Sequence, residues 1–238
     1  NLRFFEVGNV YHFDEERYTT ESPIKAYQQR YHLALWVTGH RVEGNWAHPD
    51  EESSFFELKA HVENVLRRVG LQAGQVVTEA SDNNIFDKGL RMKTRGGKVL
   101  VDMGIVNHHV LRRFDIEQPV YYAEIDWTEL MKATRKNSLL FQALSKYPAV
   151  SRDLALLVDA NVEFAQIEQI ARQTEKKLLK QVVLFDVYQG KNLPEGKKSY
   201  AVNFILQDES RTLTDKAIEA IMQKLMKNLT TKLHAELR

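Results

Sequence analysis

Two side chains with usable chemistry, the carboxylate of Asp186 and the phenol of Tyr188, sit two residues apart in the run LFDVYQGKNLPEGKKSY, residues 184–200. The run reads as a β-strand, a long polar turn and the start of a second strand. Side chains two apart on a strand share a face, so the spacing predicts Asp186 and Tyr188 together on one side, with Phe185 and Val187 turned the other way toward a core. A carboxylate beside a phenol on a flat sheet has no nucleophile–base pairing and is poor material for catalysis. It suits an unpaired nucleobase, which stacks on the ring while its edge donates to the carboxylate. The same spacing also fits a tyrosine half-covered by a neighbouring helix.

The elements that must position this pair are legible around it. RDLALLVD (152–159) alternates as a strand, and Asn161 is placed to cap a helix over about 162–175 that buries Phe164, Ile167 and Ile170 or Ala171. KQVVLFDVYQG (180–190) and KKSYAVNFILQ (197–207) form a hairpin pair across a six-residue polar turn. Thr214 and Asp215 open a last helix that buries Ile218, Ile221, Met222, Leu225 and Leu229, and HAELR (234–238) closes with a short strand. This order, β-α-β-β-α-β, is the ferredoxin-like plan, with helices on one sheet face and the other face open.

The first half has a different pattern. RFFEVGNVYHF (3–13) and YHLALWVT (31–38) read as strands, separated by a polar loop with about one helical turn. Residues 50–71 hold a clear helix, capped by Ser53 or Ser54 with Glu57 at capping-box distance, and with Phe55, Leu58, Val62, Val65, Leu66 and Val69 as its buried stripe. Strands follow at 75–80, about 85–93 and 98–106, the last two joined at Arg95-Gly96-Gly97, then a short helix near 107–114, the strand VYYAEID (120–126) and a helix WTELMKAT (127–134) capped by Asp126. Antiparallel hairpins mixed with a few helices predict an α+β fold. The expected organisation is a module over 1–137, a linker over 138–146 and a ferredoxin-like domain over 147–238. The chain starts at Asn1, already in a strand pattern, which predicts a piece of a longer polypeptide.

Charge and composition narrow the functional classes. The net charge is +1, with 19 basic against 20 acidic residues in 1–147 and 14 against 12 in 148–238, so RNA binding must rest on local contacts rather than a strongly cationic surface. There is no cysteine, which removes disulfides, thiolate metal sites and cysteine nucleophiles and fits a reducing, cytoplasmic setting. No apolar run approaches the ~20 residues of a membrane span. The sequence has neither a P-loop nor a dinucleotide fingerprint.

The runs YPAVSRDLALLVD and LFDVYQGKNLPEGKKSYAVNFILQDESRTLTD, with the final AELR, closely resemble the ferredoxin-fold anticodon-binding domain that ends the bacterial phenylalanyl-tRNA synthetase β subunit. RFFEVGNVYHF, WVTGHRVEGNW and GIVNHHVLRRFDIEQPVYYAEID resemble that subunit's catalytic-like module, although GIVNHHV departs from the glycine–glutamate–leucine–histidine–proline run more usual there. The resemblance implies a class II synthetase-like antiparallel module followed by the ferredoxin-like domain. It implies an (αβ)2 assembly in which the α subunit uses ATP and Mg for aminoacylation, with no cofactor and no catalytic residue in this segment. The partners implied are tRNA(Phe) and the α subunit, with neither membrane nor DNA. Arg3 and Glu6 are spaced differently from a class II motif 2, and no glycine–arginine motif 3 occurs.

The resemblance further suggests that the first anticodon base, a guanine, stacks on Tyr188 while Asp186 accepts its N1–H and N2–H. Ser151 and Arg152 enter the first strand of that domain beside these positions, and Arg152 fits equally an ion pair with Asp153 or Asp186. Lys191, Lys197 and Lys198, on the hairpin turn, are candidates for backbone phosphates. His32, His40, His48, His108 and His109 lack a supporting carboxylate at ligand spacing and read as surface or packing residues rather than metal ligands. Trp36 and Trp46 read as core or interface aromatics. A small-molecule-sensing module on the same fold is the alternative, but its turn here, Asp159 to Val162, has no glycine; a protein-interaction role for 1–137 also fits.

Overall fold

A computed structural model describes residues 1–71, 73–137 and 144–238. Its contacts divide the chain into two units, Asn1–Leu140 and Phe141–Arg238. Residues 138–143 of the expected linker lie outside the described residues.

In the first unit β1 (Leu2–Phe13) and β2 (Tyr27–Thr38) pair antiparallel from Leu2 opposite Thr38 to Phe13 opposite Tyr27. β2 starts four residues before the periodicity alone placed it, because its polar beginning gains a full ladder against β1. Short 3-10 turns at Glu15–Arg17 and Pro23–Ala26 fill the loop between them. β3 (His40–Val42) and β4 (Glu51–Glu52) form a small separate ladder. Then come α1 (Phe55–Arg68), β5 (Val76–Ala80), β6 (Phe86–Thr94), β7 (Val99–Val106), α2 (His108–Arg112), β8 (Val120–Asp126) and α3 (Trp127–Thr134). Among the described residues the main sheet has the order β1-β2-β8-β7-β6-β5.

Capping explains where these helices begin. Ser54 Oγ accepts the Glu57 N–H at 3.3 Å, and the Asp126 carboxylate accepts the Glu129 N–H at 2.9 Å. Glu57 itself does not close a capping box but pairs with Arg3 at 2.9 Å. Leu58, Val62 and Leu66 of α1 and Leu130 of α3 are buried with Leu33, Val37, Val101, Met103, Ala123 and Ile125 of the central strands. These strand residues alternate in register (Leu33 opposite Ile125, Met103 opposite Ala123), so one sheet face is apolar and helix-covered.

The second unit runs β9 (Val150–Asp159), α4 (Phe164–Thr174), β10 (Leu179–Tyr188), β11 (Lys197–Leu206), α5 (Asp215–Leu233) and β12 (Glu236–Leu237). Its sheet order is β10-β11-β9-β12, antiparallel throughout, as the ferredoxin-like plan requires. The cap of α4 is Glu163, in a reciprocal box with Gln166, and not Asn161; the chain leaves β9 through a turn at 160–162 before the helix can start. Thr214 Oγ1 caps α5 as expected. The core joins Ile167, Ile170 and Ala171 of α4 and Ile218, Leu225 and Leu229 of α5 to Leu156, Val158, Val202, Phe204 and Leu206 of the sheet. Phe204 is fully buried at its centre. Phe204→Ala is expected to cost about 3–5 kcal/mol of unfolding free energy, read as a lower denaturant midpoint with unchanged m-value.

Candidate nucleic-acid interface

β10 does not alternate simply. Its pairing with β11 slips twice, between Leu179 and Gln181 and between Leu184 and Asp186. Leu179, Val182 and Leu184 oppose Leu206, Phe204 and Val202, all three fully buried, and so face the helices. Without the second slip, Asp186 and Tyr188 would share that face. The extra residue, Phe185, resets the phase: Asp186 opposes Ala201 and Tyr188 opposes Ser199, on the side away from α4 and α5. Asp186 and Tyr188 therefore stand on the same helix-free face. Phe185 and Val187 do not enter the core as the spacing predicted; they are 57% and 47% exposed. Phe185 is the bulged residue, and Val187, although phased with buried Tyr200, keeps nearly half its surface in solvent.

Tyr188 is 36% exposed. Its hydroxyl end lies against Gly190, where a Cβ would fall 2.5 Å from Oη and 2.6 Å from Cζ. Only glycine permits that approach. Gly196, at φ 75°, turns the chain back into β11.

The other expected residues separate into two groups. Ser151 opposes Ile205, in the phase of Asp186, and its Oγ accepts from Asn203 Nδ2, which also donates to Asp153. Lys197 opposes Asp159 on this side too, but its Nζ is held by Asp159 at 3.1 Å, with Glu236 at 3.9 Å. Lys191 is exposed in the turn. Arg152 and Lys198 are phased with the helix side. Arg152 opposes buried Phe204, and its guanidinium is 3.9 Å from Asp215, rather than meeting Asp153 or Asp186. Lys198 is 8% exposed, with Nζ 4.7 Å from the centre of the Tyr200 ring. The structure thus groups Asp186, Tyr188, Ser151 and Lys197 on one face and turns Arg152 and Lys198 away from it. Asn203 and Asp153 belong to the face and were missed. The alternation of β11, with Asn203 between buried Val202 and Phe204, carries that signal.

The first unit has its own concavity, about 360 Å³, between strands β2, β7 and β8 and the first turn of α3, lined by Arg30, His32, Lys98, Asp102, Glu124, Asp126 and Glu129 among others. Several of its charges pair internally. Arg30 meets Asp126 at 3.2 Å, His32 Nδ1 lies 2.7 Å from Glu124, and Arg91 holds Asp102 at 3.0 Å. A hydrogen bond from Lys132 holds the Glu129 carboxyl below the usual range. Arg3 binds the carbonyls of His40 and Arg41 as well as Glu57. Among the described residues no group of three or more metal-ligating side chains is arranged to hold an ion. Trp36 packs on Tyr122 with ring centroids 5.1 Å apart, whereas Trp46 is fully exposed.

Residues 145–238 match the ferredoxin-fold anticodon binding domain, and residues 1–127 match the phenylalanyl tRNA synthetase beta chain CLM domain. The chain belongs to the phenylalanyl-tRNA synthetase β-chain family. It is 55% identical over 238 residues to the phenylalanine–tRNA ligase beta subunit of Bacteroides thetaiotaomicron, covering all of this chain and 29% of that relative. Against the subunit of Porphyromonas gingivalis the identity is 49%, with the same coverage. The chain thus spans about 29% of the length of the curated relatives it matches. Among solved structures, pyrrolysyl-tRNA synthetase from Desulfitobacterium hafniense aligns at a TM-score of 0.39 and 14% identity, over 57% of this chain and 42% of that one.

In this member of the family the Tyr122 phenol, beside the concavity, is pushed well above the ordinary tyrosine range, first by burial and then by Glu124, Asp102 and Glu6. Its neutral form is favoured in the fold. That contribution is complete below about pH 10, where an unfolded tyrosine ionises, and is lost as pH climbs from there through the raised folded value. Urea melts between pH 8 and 11 should therefore show a smaller alkaline loss of stability in Tyr122→Phe than in the parent.

Proposed function

We propose that this chain is the C-terminal part of a phenylalanine–tRNA ligase β subunit whose last domain grips the anticodon end of tRNA(Phe). The single observation that carries this reading is Asp186 and Tyr188 side by side on the helix-free face of the ferredoxin-like unit. A splayed guanine stacks on the Tyr188 ring while its N1–H and N2–H donate to Asp186. Adenine and pyrimidines offer no such pair of donors, so the carboxylate supplies discrimination and the ring supplies affinity. Ser151 and Lys191 extend the contact along the backbone. Arg152 and Lys198 have no part in it, since they face the helix side.

On this reading 147–238 is the RNA-reading domain, 138–146 a linker, and 1–137 a synthetase-like module that packs on the α subunit of a cytoplasmic (αβ)2 assembly. The α subunit carries out ATP-dependent aminoacylation, with Mg. In the concavity of the first unit the cation Arg30 is already engaged by Asp126. Among the described residues no helix is long and apolar enough to cross a membrane. The anticodon contact works by positioning. Binding energy far from the reacting atoms is used to hold the acceptor end in place.

Tyr188→Ala in the full-length protein should weaken tRNA(Phe) binding by about 1–3 kcal/mol without lowering the thermal midpoint. An unchanged titration curve would reject the stacking role. Asp186→Asn exchanges one acceptor oxygen for a donor amide. It should narrow the preference for guanine over adenine at the first anticodon position by about tenfold, measured with paired tRNA transcripts.

A further inference from the structure

The guanidinium carbon of Arg238 lies 5.2 Å from the centre of the Tyr188 ring. The two residues belong to opposite edges of the sheet, Tyr188 on β10 and Arg238 just after β12, with β11 and β9 between them. Three strand spacings of roughly 4.8 Å separate those edges, a gap the two side chains close only by reaching toward each other along the sheet. The floor beneath them allows it: the row that holds Asp186 continues through Ala201 to Ala155, both short side chains. The backbone N–H of Arg238 donates to the Ala155 carbonyl at 3.0 Å, which ties the arginine to that same row. At its other end the ring abuts Gly190.

We propose that Arg238 is a positioning residue for Tyr188, bracing the phenol across the open face so that ring and cation together present one stacking surface to an unpaired base. This rests on the reading that Tyr188 stacks a base. A ring held between Gly190 and Arg238 loses little rotamer freedom when the base arrives, and a cation near an aromatic face strengthens the platform. Arg238 also offsets a local charge deficit. Asp153, Asp186 and Glu236 stand on or beside this face, and Lys197 is already engaged by Asp159 and Glu236. An anionic RNA strand approaching here meets Arg238 as a compensating charge.

The test is a double-mutant cycle in the full-length protein, titrated with a tRNA(Phe) transcript at one salt concentration. Arg238→Ala should weaken binding by about fivefold, the scale of a single cation–π contact. Arg238→Lys, which keeps the charge but not the planar group, should recover part of that loss. In a Tyr188→Leu background Arg238→Ala should have no further effect, because the arginine acts through the ring. Two outcomes overturn the inference while leaving the stacking reading intact. One is a Tyr188→Leu loss with Arg238→Ala indistinguishable from the parent. The other is losses that multiply in the double variant, which would make Arg238 an independent phosphate contact. Full binding by Tyr188→Leu overturns the stacking reading itself, and this inference with it.

Discussion

The second register slip of β10 is the constraint on which the candidate interface depends. A strand with a strict period of two, buried Val182 and partly buried Leu184 would aim Asp186 and Tyr188 at α4 and α5. One extra residue, Phe185, exchanges the two faces for the rest of the strand. The bulge leaves Phe185 more than half exposed, an unfavourable place for a large aromatic. In return the carboxylate and the phenol reach the one side of the sheet that no helix covers. The short residues opposite and beyond them, Ala201, Ser199 and Ala155, keep that surface flat.

The two units treat their open sheet faces differently. In the first, Arg30, His32 and Arg91 are each matched to a carboxylate across the sheet, beside the concavity. Tyr122 sits beside it with its hydroxyl kept neutral by burial and by acidic neighbours. In the second unit Asp153 is answered by the neutral Asn203 amide, and the phenol meets a cation from across the sheet. A surface of that kind offers acceptors, a ring and a positive charge beside it, which is what a single splayed base can use. The proposed division of labour, with RNA reading in one unit and subunit packing in the other, follows this contrast.

Local patterns were read well where one residue's environment is set by its near neighbours. The stripe of α1, the Ser54 cap, the Asp126 cap and the span of β8 follow from 3.6- and two-residue periods and from side chains that satisfy the first free N–H groups of a helix. The misreadings share a cause. Lys198 is an ordinary turn lysine by sequence, yet the register of β11 with β9 places it opposite Val158 and folds its stem toward Tyr200. Arg152 follows Ser151 directly, so the two must diverge across the sheet, and only the packing of α5 brings Asp215 to the arginine. Asn161 has the chemistry of a cap, but the turn out of β9 delays the helix until Glu163 can cap it.

By itself the sequence determined the order of elements, the ferredoxin-like plan of the second unit and the pairing of Asp186 with Tyr188 as neighbours on a strand, because each of these is written in spacings of a few residues. Tertiary structure alone decided that a bulge at Phe185 carries that pair to the helix-free face, which nearby cations are already engaged, and that Arg238 meets Tyr188 from the far edge of the sheet. The physical reason is that these facts depend on interstrand register and on contacts between residues distant in the chain. A bulge of one residue, invisible to periodicity, is enough to reverse them.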